Sequence, residues 1–355
     1  MMTSNPMPVF DGHNDALSKL HDMHPGDPVA AFTGGYDAAL DLAKARRGGF
    51  AGGFFAIWVP PMEADDAGRR EAMAEPSYDI PLPAQLDQAH AARITMAQAS
   101  IMVDLEQAGA LRICRSVGDI RTAIADGQLA AIMHVEGVEA IDPEFETLDR
   151  LYDMGLRSIG PVWSRSNVFG HGVPFRYPSS PDTGPGLTEA GKRLVARCDE
   201  LGILIDLSHM NEAGFWDVAG LSTAPLIATH SNAHAICPHA RNLTDKQLRA
   251  IADSDGMVGL NFSAAFLRPD GRMLADVPFE VMMRHLDHLI DILGEDRVGL
   301  GSDYDGTTVP DSLTTVAELP ALGRAMAQHG YDDALCRKIL CDNWLSALDR
   351  VWMNG

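Results

Sequence analysis

Val9-Phe10-Asp11-Gly12-His13-Asn14-Asp15 is a short apolar run that closes on an imidazole and a carboxylate two positions apart. On an extended strand residues i and i+2 point the same way, so His13 and Asp15 can share one ligand. A single His-x-Asp tripeptide carries little weight. Its force comes from recurrence: the same arrangement, an apolar run ending in a ligand-type side chain, returns along the chain.

Eight apolar runs fall at about residues 8–12, 52–59, 130–135, 157–162, 203–208, 225–229, 257–262 and 298–302, and five of them end in such a side chain. Most are apolar on both faces, as strands are when helices cover a parallel sheet. Helical patterns lie between them. Over 188–201 Thr188 is an N-cap, Leu194, Val195, Cys198 and Leu201 form one stripe, and Gly202 ends it. Thr244-Asp245-Lys246-Gln247 reads as a capping box. A third helix runs from Pro278 to Gly294.

Strand alternating with helix eight times predicts an α/β fold of the closed (β/α)8, or TIM-barrel, kind. The competitor is an open doubly wound sheet, but no Gly-x-Gly-x-x-Gly follows the first run and no compositional break marks a second domain. We therefore expect one barrel domain over 1–355, with inserted loops or lids at 60–129 and 163–187.

Composition narrows the function. With 28 Lys and Arg against 49 Asp and Glu the net charge is -21, and no basic block offsets it, which argues against nucleic acid and anionic membranes as partners. The five cysteines are scattered without Cys-x-x-Cys spacing, so a disulfide framework is not expected. With no signal sequence and no apolar stretch of spanning length, the chain reads as a cytoplasmic protein with a small-molecule substrate, a homodimer being the assembly to test for.

Active sites of such barrels lie where strands end at the carboxyl face. Reading off the run ends gives His13 and Asp15, then Glu136, His209, His230 and Asp303. Three imidazoles and three carboxylates converging on one mouth need positive charge among them, since unpaired buried carboxylates repel and protonate. Imidazole and carboxylate without thiolate point to two divalent ions, zinc foremost. Glu136 would bridge them, with His13 and Asp15 on one ion and His209 and His230 on the other. His134, two residues before Glu136, faces the same way but deeper, as support for the site or as packing rather than a seventh ligand.

The segments Asp11-Gly12-His13-Asn14-Asp15, Val135-Glu136-Gly137, Leu204-Ile205-Asp206-Leu207-Ser208-His209, Thr229-His230-Ser231 with Arg241-Asn242, and Gly301-Ser302-Asp303-Tyr304-Asp305-Gly306 together resemble the membrane dipeptidase (renal dipeptidase) family of zinc peptidases in the amidohydrolase superfamily. The resemblance covers nearly the whole chain. It implies a metal-dependent hydrolase that cuts dipeptides, L-Xaa-L-Xaa and L-Xaa-D-Xaa, by attack of a metal-bridging hydroxide. It gives His13, Asp15 and Glu136 to one metal, and Glu136, His209 and His230 to the other. Asp303 becomes the group that holds the hydroxide and shuttles its proton, and Arg241 the planar fork for the substrate's terminal carboxylate. There is one departure. Animal members carry a histidine beyond the fourth strand that contacts the scissile carbonyl, whereas Ser164 stands there in this sequence, with Arg165, Asn167 and His171 as candidate replacements. Hydrolysis of N-acyl amino acids or lactams on the same centre is the alternative, because a barrel can keep its metal site while loops change the substrate.

Overall fold

A computed structural model describes residues 6–63 and 66–352. Eight parallel strands form a nearly closed barrel: β1 (Val9–Asn14), β2 (Phe50–Trp58), β3 (Leu129–Glu136), β4 (Leu156–Gly160), β5 (Leu204–Ile205), β6 (Ile227–Ala228), β7 (Met257–Asn261) and β8 (Val298–Gly301). Each coincides with one of the eight apolar runs. Strands β5 and β6 are shorter than their runs, because the chain there bends into loops after two ladder residues. The barrel closes across them through the parallel bridge Asp206 to Ile227, with the Leu207 amide donating to the Ile227 carbonyl at 2.9 Å.

Side-chain alternation sorts the strands into two cores. Phe10, Phe54, Ile132, Leu204, Ile227 and Met257 form one cluster with Trp344 and Leu348 of the C-terminal helix Asn343–Trp352. Trp344 plugs the amino end of the barrel, its indole N–H donating to the Leu300 carbonyl at 2.8 Å. Val9, Phe55, Ile57, Met133 and Val135 belong to the larger outer cluster, packed with the helical layer. The amino end is thus filled with hydrocarbon, which leaves the carboxyl end for polar chemistry.

The predicted helices stand at Glu189–Leu201, Asp245–Asp253 and Phe279–Leu293. Thr188 caps the first through the Gly191 amide, and Gly202 ends it in the left-handed conformation. Thr244 and Gln247 close the capping box of the second.

The insertion expected over 60–129 is only partly one. Its second half holds the helices Gln88–Gln107 and Val117–Ala125 and the short strand Leu111–Ile113, which pairs with β3. These pack into the outer layer and are part of the barrel; the long 20-residue helix has too even a polarity to show a stripe in sequence. The first half, with the helix Asp66–Met73 and the strand Tyr78–Asp79, does lie over the mouth. It pairs antiparallel with Arg176–Tyr177 from the 163–187 segment, so the two inserts form one covering.

Candidate metal centre

Register carries the site to one rim. Glu136, the last residue of β3, lies level with Trp58 on one side and Gly160 on the other. On the facing wall Asn261 lies level with Gly301, two residues before Asp303. The Asp303 amide then donates to the His13 carbonyl at 3.0 Å, which ties the end of β8 to the end of β1. Asp303 adopts a positive φ of 61°, a left-handed backbone that aspartate tolerates better than most residues and that is common at functional turns.

All six side chains read from the strand ends meet there. Glu136 Oε1 lies 3.1 Å from His209 Nε2, 3.3 Å from His230 Nε2 and 3.7 Å from His13 Nε2. His13 Nε2 is 3.6 Å from Asp15 Oδ2. Donor atoms of His13, Asp15 and Asp303 lie within 4.8 Å of one another, as do those of Glu136, His209 and His230. Glu136 Oε1, both nitrogens of His13 and Nε2 of His230 are buried without a hydrogen-bond partner. Orphaned donors and acceptors of this kind, nitrogen and oxygen only, fit divalent ions of the zinc type.

The electrostatics agree with that fit. Burial drives the Glu136 carboxyl well above the ordinary carboxylate range, and lifts Asp303 to about 6. Burial opposes protonation of His13, yet the facing carboxylates of Glu136, Asp15 and Asp303 outweigh it and push this imidazole up to about 10. His209 and His230 are held well below the usual histidine range, first by burial and then by the nearby charges of His13 and Arg241. The centre therefore keeps two neutral imidazoles and crowds the Asp15, Glu136 and Asp303 carboxyls around the single imidazole of His13, an arrangement that cations relieve.

Behind the rings stand groups that sequence reading did not assign. His209 Nδ1 pairs with Ser164 Oγ at 2.9 Å. Thr229 Oγ1 donates to Asp206 Oδ2 at 2.6 Å and so accepts from His230 Nδ1 at 2.8 Å, which leaves the His230 Nε2 lone pair facing Glu136. Asp206 also takes the Ser208 hydroxyl at 2.6 Å and the Thr229 amide at 2.8 Å. Asn261 Nδ2 donates to Asp303 Oδ2 at 2.9 Å. His134 pairs with Ser158 Oγ at 2.9 Å and meets the His13 ring edge to face at 5.5 Å, and burial pushes it down to about 3. Asp206 could have been suspected from its place at the end of the fifth run, three residues before His209. Asn261 and Thr229 carry no such signal.

The expected replacements for the missing histidine lie elsewhere. Arg165 is buried against Glu139 at 2.8 Å, Asn167 donates to the Pro161 carbonyl at 2.9 Å, and His171 pairs with Ser166 at 3.2 Å. None lines the cavity above the centre, and the Ser164 hydroxyl is spent on His209. Trp163 faces that cavity, which holds about 180 Å³ beside Asp15, Glu136, His209 and Asp303. This is less than the ~300–1,000 Å³ of drug-sized pockets and suits a smaller molecule. Arg241 also departs from expectation. It is 2% exposed and does not line the cavity, its guanidinium donating to the carbonyls of Ser208 and, at 3.2 Å, His230.

The sequence matches the model of a family described as membrane dipeptidase (peptidase family M19) over residues 3–354. An uncharacterized protein from the pqqA 5′ region of Klebsiella pneumoniae is 53% identical over 245 residues, 69% of this chain and 90% of that protein. A metallopeptidase from Rhodobacter sphaeroides, solved with a phosphinate mimic of the dipeptide L-Ala-D-Ala, superposes with a TM-score of 0.96 at 52% identity, covering 98% of this chain and 100% of the other. Dipeptidase AC, a family M19 metallopeptidase, superposes with a TM-score of 0.95 at 52% identity over 98% of this chain and 99% of its own.

Proposed function

Because this chain belongs to the membrane dipeptidase family, peptidase family M19, and is a metallo-dipeptidase, we propose that it hydrolyses L,L and L,D dipeptides with two zinc ions. The observation that carries this reading is the buried, unpartnered Glu136 Oε1 with three imidazole nitrogens 3.1–3.7 Å away. The L,D part is supported by the L-Ala-D-Ala mimic held by the 52% identical Rhodobacter protein.

His13, Asp15 and Glu136 would hold one ion, and Glu136, His209 and His230 the other. Divalent ions held there would supply Lewis-acid polarisation of the scissile carbonyl and lower the pKa of the attacking water. Asp303 takes the proton of that water and returns it to the departing amine nitrogen. Asn261 pins its Oδ2, which leaves the second carboxylate oxygen for the transfer. The aromatic walls Trp58 and Trp163, whose centroids are 5.1 Å apart, keep bulk water from the reacting bond. Arg241 remains the proposed partner of the substrate's terminal carboxylate. Its Nε is buried without an acceptor, and a carboxylate would compete with the Ser208 and His230 carbonyls for its fork.

Kinetics with L-Ala-L-Ala, L-Ala-D-Ala and their N-acetyl forms, alongside elemental analysis, test the reading. Free dipeptides of both series should turn over with two zinc equivalents bound, and chelation should abolish turnover. Preference for the acetylated forms, or full activity with one equivalent, would refute it.

A further inference from the structure

The cavity above the centre carries a guanidinium that the reading so far leaves unused. Arg69, on the covering helix Asp66–Met73, lines the same cavity as Glu136, His209 and Asp303. Its Cζ lies 5.7 Å from the ring centroids of both Trp163 and Phe175, which meet edge to face at 5.8 Å. The same two rings border His209, at 5.9 and 6.4 Å. The positive charge is thus seated on the aromatic wall that faces the metal ligands. A cation over two ring faces is attracted by the quadrupole of each, the more so where water is excluded, and the Arg69 side chain is only 20% exposed.

Among the described residues its fork has donors to spare. A guanidinium offers five N–H donors in a fixed fork, and the one ion pair of Arg69 among the described residues is with Asp66, at 2.8 Å, a carboxylate itself 49% exposed. Arg241, by contrast, is enclosed and committed to backbone carbonyls. Arg69, Trp163 and Phe175 also line an adjoining cavity of about 410 Å³ walled by Ile80, Pro81 and Leu82. A side chain leaving the catalytic cavity on that side passes the guanidinium.

We propose that Arg69 contacts the substrate and binds a carboxylate of the dipeptide's C-terminal residue, either the terminal one, shared with Arg241, or that of an acidic side chain. The proposal rests on the dipeptide reading above. Planar, bidentate geometry is what distinguishes arginine from lysine in such a role.

Steady-state kinetics of the zinc-loaded protein and its Arg69→Met and Arg69→Lys variants, on L-Ala-L-Ala, L-Ala-L-Gln and L-Ala-L-Glu, give the test. Arg69→Met keeps the apolar stem and should raise KM at least tenfold with kcat within twofold, and Arg69→Lys should recover part of the loss. A rise confined to L-Ala-L-Glu assigns the side-chain carboxylate; a rise common to all three assigns the terminal one. Asp66→Asn, which removes the competing carboxylate and keeps the cation, should lower the affected KM. Unchanged KM in both Arg69→Met and Asp66→Asn, or a fall in kcat at constant KM, overturns the proposal. Should the unmodified protein turn over none of the three, the dipeptide reading fails, whereas variants that match an active parent refute Arg69 alone.

Discussion

Ser164 Oγ stands 2.9 Å from His209 Nδ1, and the opposite ring nitrogen faces Glu136 Oε1 at 3.1 Å. The hydroxyl holds the rotation of the ring and can accept from Nδ1–H, the tautomer that presents the Nε2 lone pair to the centre. A serine at a position where a substrate contact was expected thus works one layer further out. Ser164→Ala should weaken zinc binding by roughly 10–100-fold, the usual cost of losing a group that orients a metal-binding histidine. Chelator competition measures it, and Ser164→Thr should restore most of the affinity. Parental affinity in the alanine variant would show that packing alone holds the ring.

Asp303 carries two opposed expectations. In the zinc-loaded protein Asp303→Asn should retain metal while kcat falls by about 10²–10⁴, the range supplied by a positioned acid-base group. After chelation the same substitution should stabilise. Burial raises the Asp303 carboxyl to about 6 in the folded protein, against about 3.9 in an unfolded chain. Between these values the folded state holds a proton that the unfolded state has released, so this group's contribution to stability is intact near pH 4 and is lost as pH rises through 6. Asparagine cannot ionise and escapes that loss. The chelated variant should therefore melt a few degrees above the chelated parent at pH 7, with the gap closing toward pH 4. Melting curves at both pH values check the sign.

Gly306 sits where a Cβ would meet Asp15 Oδ2 and Asp303 Oδ1. These are side-chain ends that can move aside, so Gly306→Ala should leave the fold and melting temperature nearly intact. The displaced carboxylates share one cluster with His13, and misplacement on the scale of an ångström costs roughly 10²-fold in rate. Turnover and near-ultraviolet circular dichroism measured together decide it; parental kcat/KM in a folded Gly306→Ala protein would show that the two carboxylates tolerate displacement.

Within the sequence, the eight strands and the six rim residues were legible for one reason. A strand buried on both faces must be apolar throughout, so a charged or imidazole side chain at its end marks the place where the barrel wall stops and the polar mouth begins. Val135-Glu136 and Leu207-Ser208-His209 each carry that mark. The 20-residue helix Gln88–Gln107 lacked a comparable one, since its buried positions include the polar residues Thr95 and Gln98, and Gln98 is satisfied only by tertiary contacts such as its Nε2 donating to the Trp58 carbonyl at 2.7 Å.

Ser164, Thr229, Asp206 and Asn261 act through hydrogen bonds between segments 23 to 45 residues apart, and a hydroxyl or amide at a strand end or in a loop has many ordinary uses. Arg69 and Arg241 show the same limit from the other side: both are arginines beside polar neighbours in sequence, and only packing puts one on an aromatic wall of the cavity and encloses the other among backbone carbonyls. Periodicity and residue type determined the barrel and the donor set, because burial of apolar strands is a local demand written into each segment. Which nitrogen faces the centre, and which cation faces the cavity, was decided by tertiary structure, because orientation depends on partners that the chain brings together only when it closes.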